Sequence, residues 1–550
     1  MWVRYTSRRW NNGISRRNGR KKNIRNSLME RYDIIIIGSG INSLTAGALL
    51  SKKGKKVLIL EQSNNIGGMA STIEFQPDYK CNIINDSIKW INPKLIKELN
   101  LTPDKLQLIK PDITHIALGQ DNQHIEFHRD FKKTAESISS LSEKDANNWE
   151  GFTLHIKKIT NFLEKLYQIT PPKVPNLSIS DALSMRSILN PVLKYGTQGI
   201  VDLLRLVPMM MPEMMDEWFE NDLLRGSLST AGSHHSSLGP FSASTGYNFL
   251  HQHLFSNGVI HNNHFVNGGT IKFAEAIKEV AIENKAEILT NSKVKSITIK
   301  NDICESISLE NGNIIKSNTI VSGVDPRNTF INLIGPQNLD PNLHIQLRNI
   351  KYRGTSARIH FALKDIPEIK NVPSQNMKSM FSICPNIEYL EKASDSVKYG
   401  QIAKEPSLEF SFPSLINPDF SPEGKHVMSA TVQYAPYHLR DKKWDSKTKD
   451  QLYKNVINVL DNYIPSINKL IESSSVYCPK DLENEYGLSE GNLNHGEMSL
   501  DQFLFMRPNI KMSQYNTPFK NLYLCGPGTH PGGGLHGTNA LNAVREILKH

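Results

Sequence analysis

Paired cysteines are the first thing this 550-residue chain lacks. Cys81, Cys304, Cys384, Cys478 and Cys525 are far apart and form no C-x-x-C pair. A disulfide framework, a zinc site and a redox-active dithiol are therefore not expected, and a reducing compartment is the simplest reading. No run of about 18 apolar residues occurs, so no membrane-spanning helix is expected. Acidic residues are missing from the first 29 positions, where nine basic ones (Arg4, Arg8, Arg9, Arg16, Arg17, Arg20, Lys21, Lys22, Arg25) are concentrated. Without those nine, the formal charge of +10 falls to +1. A nucleic-acid-binding domain carries its charge on the folded part, so that class is not expected here. Internal repeats are absent too, which excludes solenoids and propellers.

Residues 1–28 read as a basic tail unable to form a core. An Arg-rich, acid-free leader resembles a mitochondrial transit peptide. The alternative start is Met29. Localisation follows that choice: mitochondrial matrix if the tail is a transit peptide, otherwise cytoplasmic with a membrane-peripheral contact.

What the chain does have is a strand–turn–helix–strand unit from Asp33 to Gly68. Asp33 to Ile37 is a β-branched run suited to a strand buried on both faces. Gly38-Ser39-Gly40 turns the chain, and Ile41 to Lys53 has helical spacing with Asn42 and Ser43 in its first turn. The amides at that helix start would face a diphosphate. Val57 to Leu60 is a second strand, and Glu61 at its end is placed to accept hydrogen bonds from ribose hydroxyls. Ser43 replaces the third glycine of the usual fingerprint, so helix and strand are expected slightly further apart. Gly47, one turn on, supplies another small residue. Gln62 follows Glu61, and Gly67-Gly68-Met69 sits where flavoproteins carry a glycine doublet beside the ribose and diphosphate. That favours FAD over a nicotinamide cofactor.

A helix is predicted after Ser142, with Phe152, Ile156, Ile159 and Leu163 on one face. Met209, Met210, Met211, Met214 and Met215 could line a cavity for a flexible apolar substrate or touch a membrane, or simply fill an irregular core. His234, His235, His251, His253, His261 and His264 match no metal-ligand spacing, so no metal is expected. After Val266-Asn267-Gly268-Gly269-Thr270 comes an amphipathic helix. A strand over Ile288 to Ile299 contains Val294, and Asn311-Gly312 marks a hairpin. Thr319 to Asp325 reads as a further buried strand. Near the C-terminus, Leu522 to Cys525 is a strand, and six glycines follow between Gly526 and Gly537 before a last helix. So many glycines are costly in a purely structural turn. Both chain ends thus converge on one cofactor, and its domain is discontinuous.

The stretches GSGINSL, ILEQSNNIGGM, VNGGT, VSGVDP and YLCGPGTHPGGG resemble the phytoene desaturase-type FAD oxidoreductases. DEWFEN, VQYAPY and MSLDQFLFMRP resemble, within them, the subgroup of pyridine nucleotide-disulphide oxidoreductase domain-containing protein 2. The similarity runs from Glu30 to the C-terminus. It implies an α/β fold: a discontinuous, Rossmann-like two-dinucleotide-binding-domain flavoprotein with a mixed α+β substrate domain. The expected division is a tail (1–28), FAD-binding parts at 29–111, 255–330 and 496–550, a mainly helical substrate-domain insert at 112–254, and substrate-domain sheet and helices at 331–495. The resemblance further implies FAD held by Gly38, Ser39, Gly40, Asn42, Ser43, Glu61, Gln62, Gly67, Gly68, Met69 and Val294 along its ADP half. Gly526, Thr529, His530, Pro531, Gly532 and Gly533 would lie along the ribityl chain and flavin. Pro527 replaces an aspartate common in flavoproteins. His530 is the candidate catalytic residue, with hydrogen bonding inside the Gly-rich turn as its alternative role. The expected activity is dehydrogenation of an apolar, isoprenoid- or lipid-like small molecule. An amine-type oxidase and a flavin-holding protein acting through a partner are the alternatives.

Overall fold

The computed structural model describes residues 31–173, 201–465 and 467–549. The basic tail of residues 1–28 lies outside the described residues.

Tyr32–Ile37 is the central strand of a seven-stranded sheet. It pairs in parallel with Val57–Leu60 on one side and with Ile314–Ser322 on the other. Its residues Ile34 to Ile37 are all buried, as a strand covered on both faces requires. Glu287–Leu289 extends the sheet beyond Val57–Leu60, and Leu522–Leu524 adds to Ile314–Ser322, both in parallel. Strands from the start, middle and end of the chain thus share one sheet. The helices Ile41–Lys52, Ile271–Glu283 and Thr538–Ile547 pack together against it.

Two strand boundaries differ from expectation. The stretch expected as one strand from Ile288 splits into Glu287–Leu289 and Val294–Lys300. Between them the chain crosses the end of Val57–Leu60, where the Ser292 and Asn291 amides donate to the carbonyls of Glu61 and Ser63. Thr319 to Ser322 is no separate strand but the far half of the hairpin arm Ile314–Ser322, whose near half pairs with Ile303–Leu309.

A second seven-stranded sheet carries the other half of the molecule. Its order is Ile471–Tyr477, Ser356–Leu363, His426–Gln433, Leu408–Ser411, Met380–Ile383, Ile113–Leu118 and His124–His128. The two short strands that the sequence shows between 112 and 130, Ile113–Leu118 and His124–His128, complete an edge of this sheet, with Ile113–Leu118 parallel to Met380–Ile383.

Helices cover that edge. Glu143–Tyr167 begins at Ser142, whose side chain accepts from the Asp145 amide. Its apolar face packs Trp149, Phe152, Ile156 and Leu163 into one core with Phe219, Phe249, Met211, Met214 and Met215. Those three methionine side chains are buried in that core. Of the three readings open for the methionine run, the irregular core is the one seen for these three, where unbranched, polarisable methionine fills the gaps between the aromatic rings. Among the described residues no helix is long and apolar enough to cross a membrane.

Candidate functional site

A cavity of about 590 Å³ opens at the ends of Tyr32–Ile37 and Val57–Leu60. Gly38 to Ser43 form its floor, where the chain leaves the central strand and enters the Ile41–Lys52 helix. Gly38 has φ +88° and Gly67 φ +103°, so both turns use backbone that L side chains rarely adopt. The Gly67 amide donates to Ser39 O at 3.0 Å, and a Cβ on Gly68 would lie 3.3 Å from the Gly40 Cα. The glycine doublet is therefore packed directly on the dinucleotide turn.

Several observations test whether these residues fit a dinucleotide. The helix start at Gly40 has no side-chain cap and no acid in its first turn, so its amides and dipole are available to an anion. A Cβ built on Gly40 meets nothing within 4 Å, which leaves room beside the backbone. The Oδ1 of buried Asn42 has no hydrogen-bond partner among the described residues. At the end of the second strand, Glu61 Oε2 accepts from the Ser39 amide (2.9 Å) and hydroxyl (2.6 Å), while Oε1 accepts from the Ser63 amide (2.8 Å). Oε1 keeps capacity for one further donor, the role expected toward a ribose hydroxyl. The residues fit the group.

Ser43 packs against Gly323. A Cβ on Gly323 would lie 1.8 Å from Ser43 Oγ, so the hydroxyl occupies the space that this glycine leaves. At Gly47 a Cβ would lie 2.5 Å from Ile59 Cδ1, consistent with close approach of helix and sheet.

Of the sequence-predicted residues, Gly38, Ser39, Gly40, Asn42, Ser43, Glu61, Gln62, Gly67, Gly68, Met69, Val294 and Gly533 line this cavity. Gly526, Thr529, His530, Pro531 and Gly532 do not. The reason is packing: a Cβ on Gly526 would meet Gly323 O at 2.5 Å, and one on Gly532 would meet Met498 Sδ at 2.6 Å. Thr529 turns its hydroxyl to Gly526 O. The His530 ring lies against Tyr167 and faces Leu166 O at 3.4 Å, away from the cavity. The ring's bond goes to the Glu143–Tyr167 helix, not to the inside of the Gly-rich turn as its alternative role had it.

Pro527, Gly534, Leu535 and His536 take that wall instead. His536 Nδ1 accepts from the Thr538 amide (3.1 Å), so Nε2 carries the proton and donates to Gly533 O (2.9 Å). His251 Nε2 reaches the same carbonyl at 2.8 Å, with its Nδ1 facing Tyr167 OH at 3.0 Å. Two imidazoles thus clamp one carbonyl of the Gly-rich turn. Burial pushes His536 down to about 3 and His251 down to about 4, so both are neutral at physiological pH.

The Trp90 and Lys89 part of this wall was not legible in the sequence. Trp90 stacks on His536, and Lys89, His234 and His235 line the same space. Lys89 Nζ pairs with Glu409 Oε1 at 3.2 Å and donates to Asn263 Oδ1 at 2.9 Å. Burial alone would raise the Glu409 carboxyl, but the Lys89 ammonium beside it outweighs that and holds it well below the usual carboxylate range. Residues 483–488 and 493–495, assigned by sequence to the substrate part, also line the cavity.

The family described as flavin containing amine oxidoreductase matches residues 44–548. The pyridine nucleotide-disulfide oxidoreductase domain-containing protein 2 of Rattus norvegicus is 28% identical over 95% of this chain and 94% of its own. A phytoene desaturase of Fusarium fujikuroi is 24% identical over 92% of this chain and 87% of its own. These are the groupings that the sequence motifs resemble. Among solved structures, an oxidoreductase from Methanosarcina mazei superimposes with a TM-score of 0.59 at 14% identity, over 94% of this chain and 100% of that one. The likeness supports the α/β flavoprotein fold. With nearly the whole chain matched, the protein belongs to the flavin containing amine oxidoreductase family, and its cofactor is FAD.

Proposed function

We propose that this flavoprotein dehydrogenates an apolar, isoprenoid- or lipid-like molecule. The observation that carries the reading is one continuous cavity. It joins the anion cradle at Gly38–Ser43 to a chamber walled by Ile84, Ile88, Trp90, Leu493 and Leu535. The phytoene desaturase among its relatives supports an apolar substrate of this class.

FAD, when bound, accepts a hydride from a substrate C–H bond. The chain's own residues bind and orient. Gly38 to Ser43 with Gly67 and Gly68 would cradle the diphosphate, and Glu61 Oε1 would accept from a ribose hydroxyl. The His251–Gly533–His536 clamp keeps the Gly-rich turn in one conformation. Stacked Trp90 and His536 present an apolar, water-excluding surface to the chamber.

The test is an anaerobic titration that follows the visible absorbance of the bound flavin. Isoprenoid hydrocarbons, isoprenoid alcohols, fatty acyl compounds and primary amines are added in turn. Bleaching by an isoprenoid or acyl compound is the expected result. Bleaching by amines alone would overturn the apolar reading.

A further inference from the structure

We propose that Lys89 and His234 form a recognition subsite for a neutral hydroxyl group on the substrate. This rests on the apolar-substrate reading above and narrows it to molecules with an apolar body and an alcohol function.

Lys89 Nζ has three donors, and the fold uses two of them, on Glu409 Oε1 and Asn263 Oδ1. The third has no partner among the described residues, and Lys89 lines the cavity. His234 lines it too, and its ring makes no hydrogen bond with the described residues. Its Nδ1 lies 4.0 Å from Glu409 Oε2. A carboxylate on that side favours the proton on Nδ1 and leaves a lone pair on Nε2. Glu409 therefore orients both groups at once: the cation by an ion pair, the imidazole by its field.

The subsite offers one N–H donor and one nitrogen acceptor. A hydroxyl answers both with a single oxygen, accepting from Lys89 and donating to His234. A carboxylate has no proton for His234, and an ammonium has no lone pair for Lys89. Charge balance points the same way. Lys89 is neutralised by Glu409, and the neighbouring Arg358 by buried Asp86. Burial pushes His234 down to about 4 and His235 well below its usual range, so neither adds charge. A charged ligand would leave water without compensation.

The experiment uses the FAD-loaded protein and calorimetric binding rather than turnover. Four probes share one fifteen-carbon isoprenoid skeleton (farnesol's) and end as alcohol, hydrocarbon, carboxylate or amine. The alcohol is expected to bind about tenfold or more tightly than each of the others, the size of one or two desolvated hydrogen bonds. In Lys89→Met/Glu409→Gln, which removes the buried ion pair without leaving an unpaired charge, alcohol affinity falls to that of the hydrocarbon. His234→Leu does the same while keeping Lys89. The wild-type series decides without any variant. Equal binding of hydrocarbon and alcohol, or tighter binding of acid or amine, overturns the hydroxyl subsite while leaving the apolar reading in place. Binding of none of the four removes the apolar reading and the subsite with it.

Discussion

The indole of Trp90 lies flat on the imidazole of His536, with ring centroids 4.1 Å apart and planes 3° from parallel. The two residues come from opposite ends of the chain. Around them Asn92 Nδ2 donates to Thr538 Oγ1, and Trp90 Nε1 donates to His251 O. The stack therefore ties the Gly-rich turn to the segment that follows the first nucleotide-binding unit, and forms one wall of the cavity.

His536→Ala removes that stack, leaves the Thr538 amide without its acceptor and takes one donor from Gly533 O. Its expected cost is about 2–4 kcal/mol of stability, read from denaturant midpoints of the FAD-free protein. FAD affinity is expected to fall about tenfold, the equivalent of about one lost hydrogen bond. His530→Ala, whose ring points away from the cavity, is expected to lose stability but keep FAD affinity.

Ser43 and Gly323 form a complementary pair. Gly323→Ala drives its new methyl into Ser43 Oγ and is expected to cost about 1–3 kcal/mol. Adding Ser43→Gly should restore part of that loss. A double-mutant cycle that comes out additive would show that the two sites are independent.

Acid should weaken the fold through its buried histidines. His115, His530 and His536 are pushed by burial to about 3, and His251 and His253 to about 4. In the unfolded chain they titrate near ~6.5. Below that pH the unfolded state binds more protons, so stability is full above about 6.5 and falls progressively as pH drops toward 4. Denaturant midpoints measured from pH about 7 to about 5 test this, and a flat profile would contradict it.

The nucleotide-binding unit from Asp33 to Gly68 was legible because its signals are local: a β-branched run, a glycine turn and an acid at a fixed offset. The chamber was not, because its parts meet only through the fold. Lys89 and Glu409 are 320 positions apart, and nothing around Lys89 marks it as more than a surface lysine. The C-terminal glycines misled in a specific way. Gly526 and Gly532 are small because Gly323 and Met498 press on them, and His536 faces the cavity where His530 was expected. Ser43 looked like a departure from a pattern, and its compensation sits far along the sequence at Gly323, just past the strand Ile314–Ser322. The methionine run was ambiguous for a physical reason: the same flexibility suits a cavity wall and an aromatic core.

FAD stoichiometry in wild type and Gly40→Val is the most direct measurement of the central claim. Gly40 has φ −64°, and a Cβ there meets nothing within 4 Å, so valine should change stability by only about 1 kcal/mol, the scale of an altered helix cap. Its side chain would fill the space beside the uncapped helix start. The account predicts about one tightly held FAD per wild-type chain, lost in a Gly40→Val protein that melts at nearly the same temperature as FAD-stripped wild type. Undiminished FAD binding by the variant, or no FAD on the wild type, would contradict it.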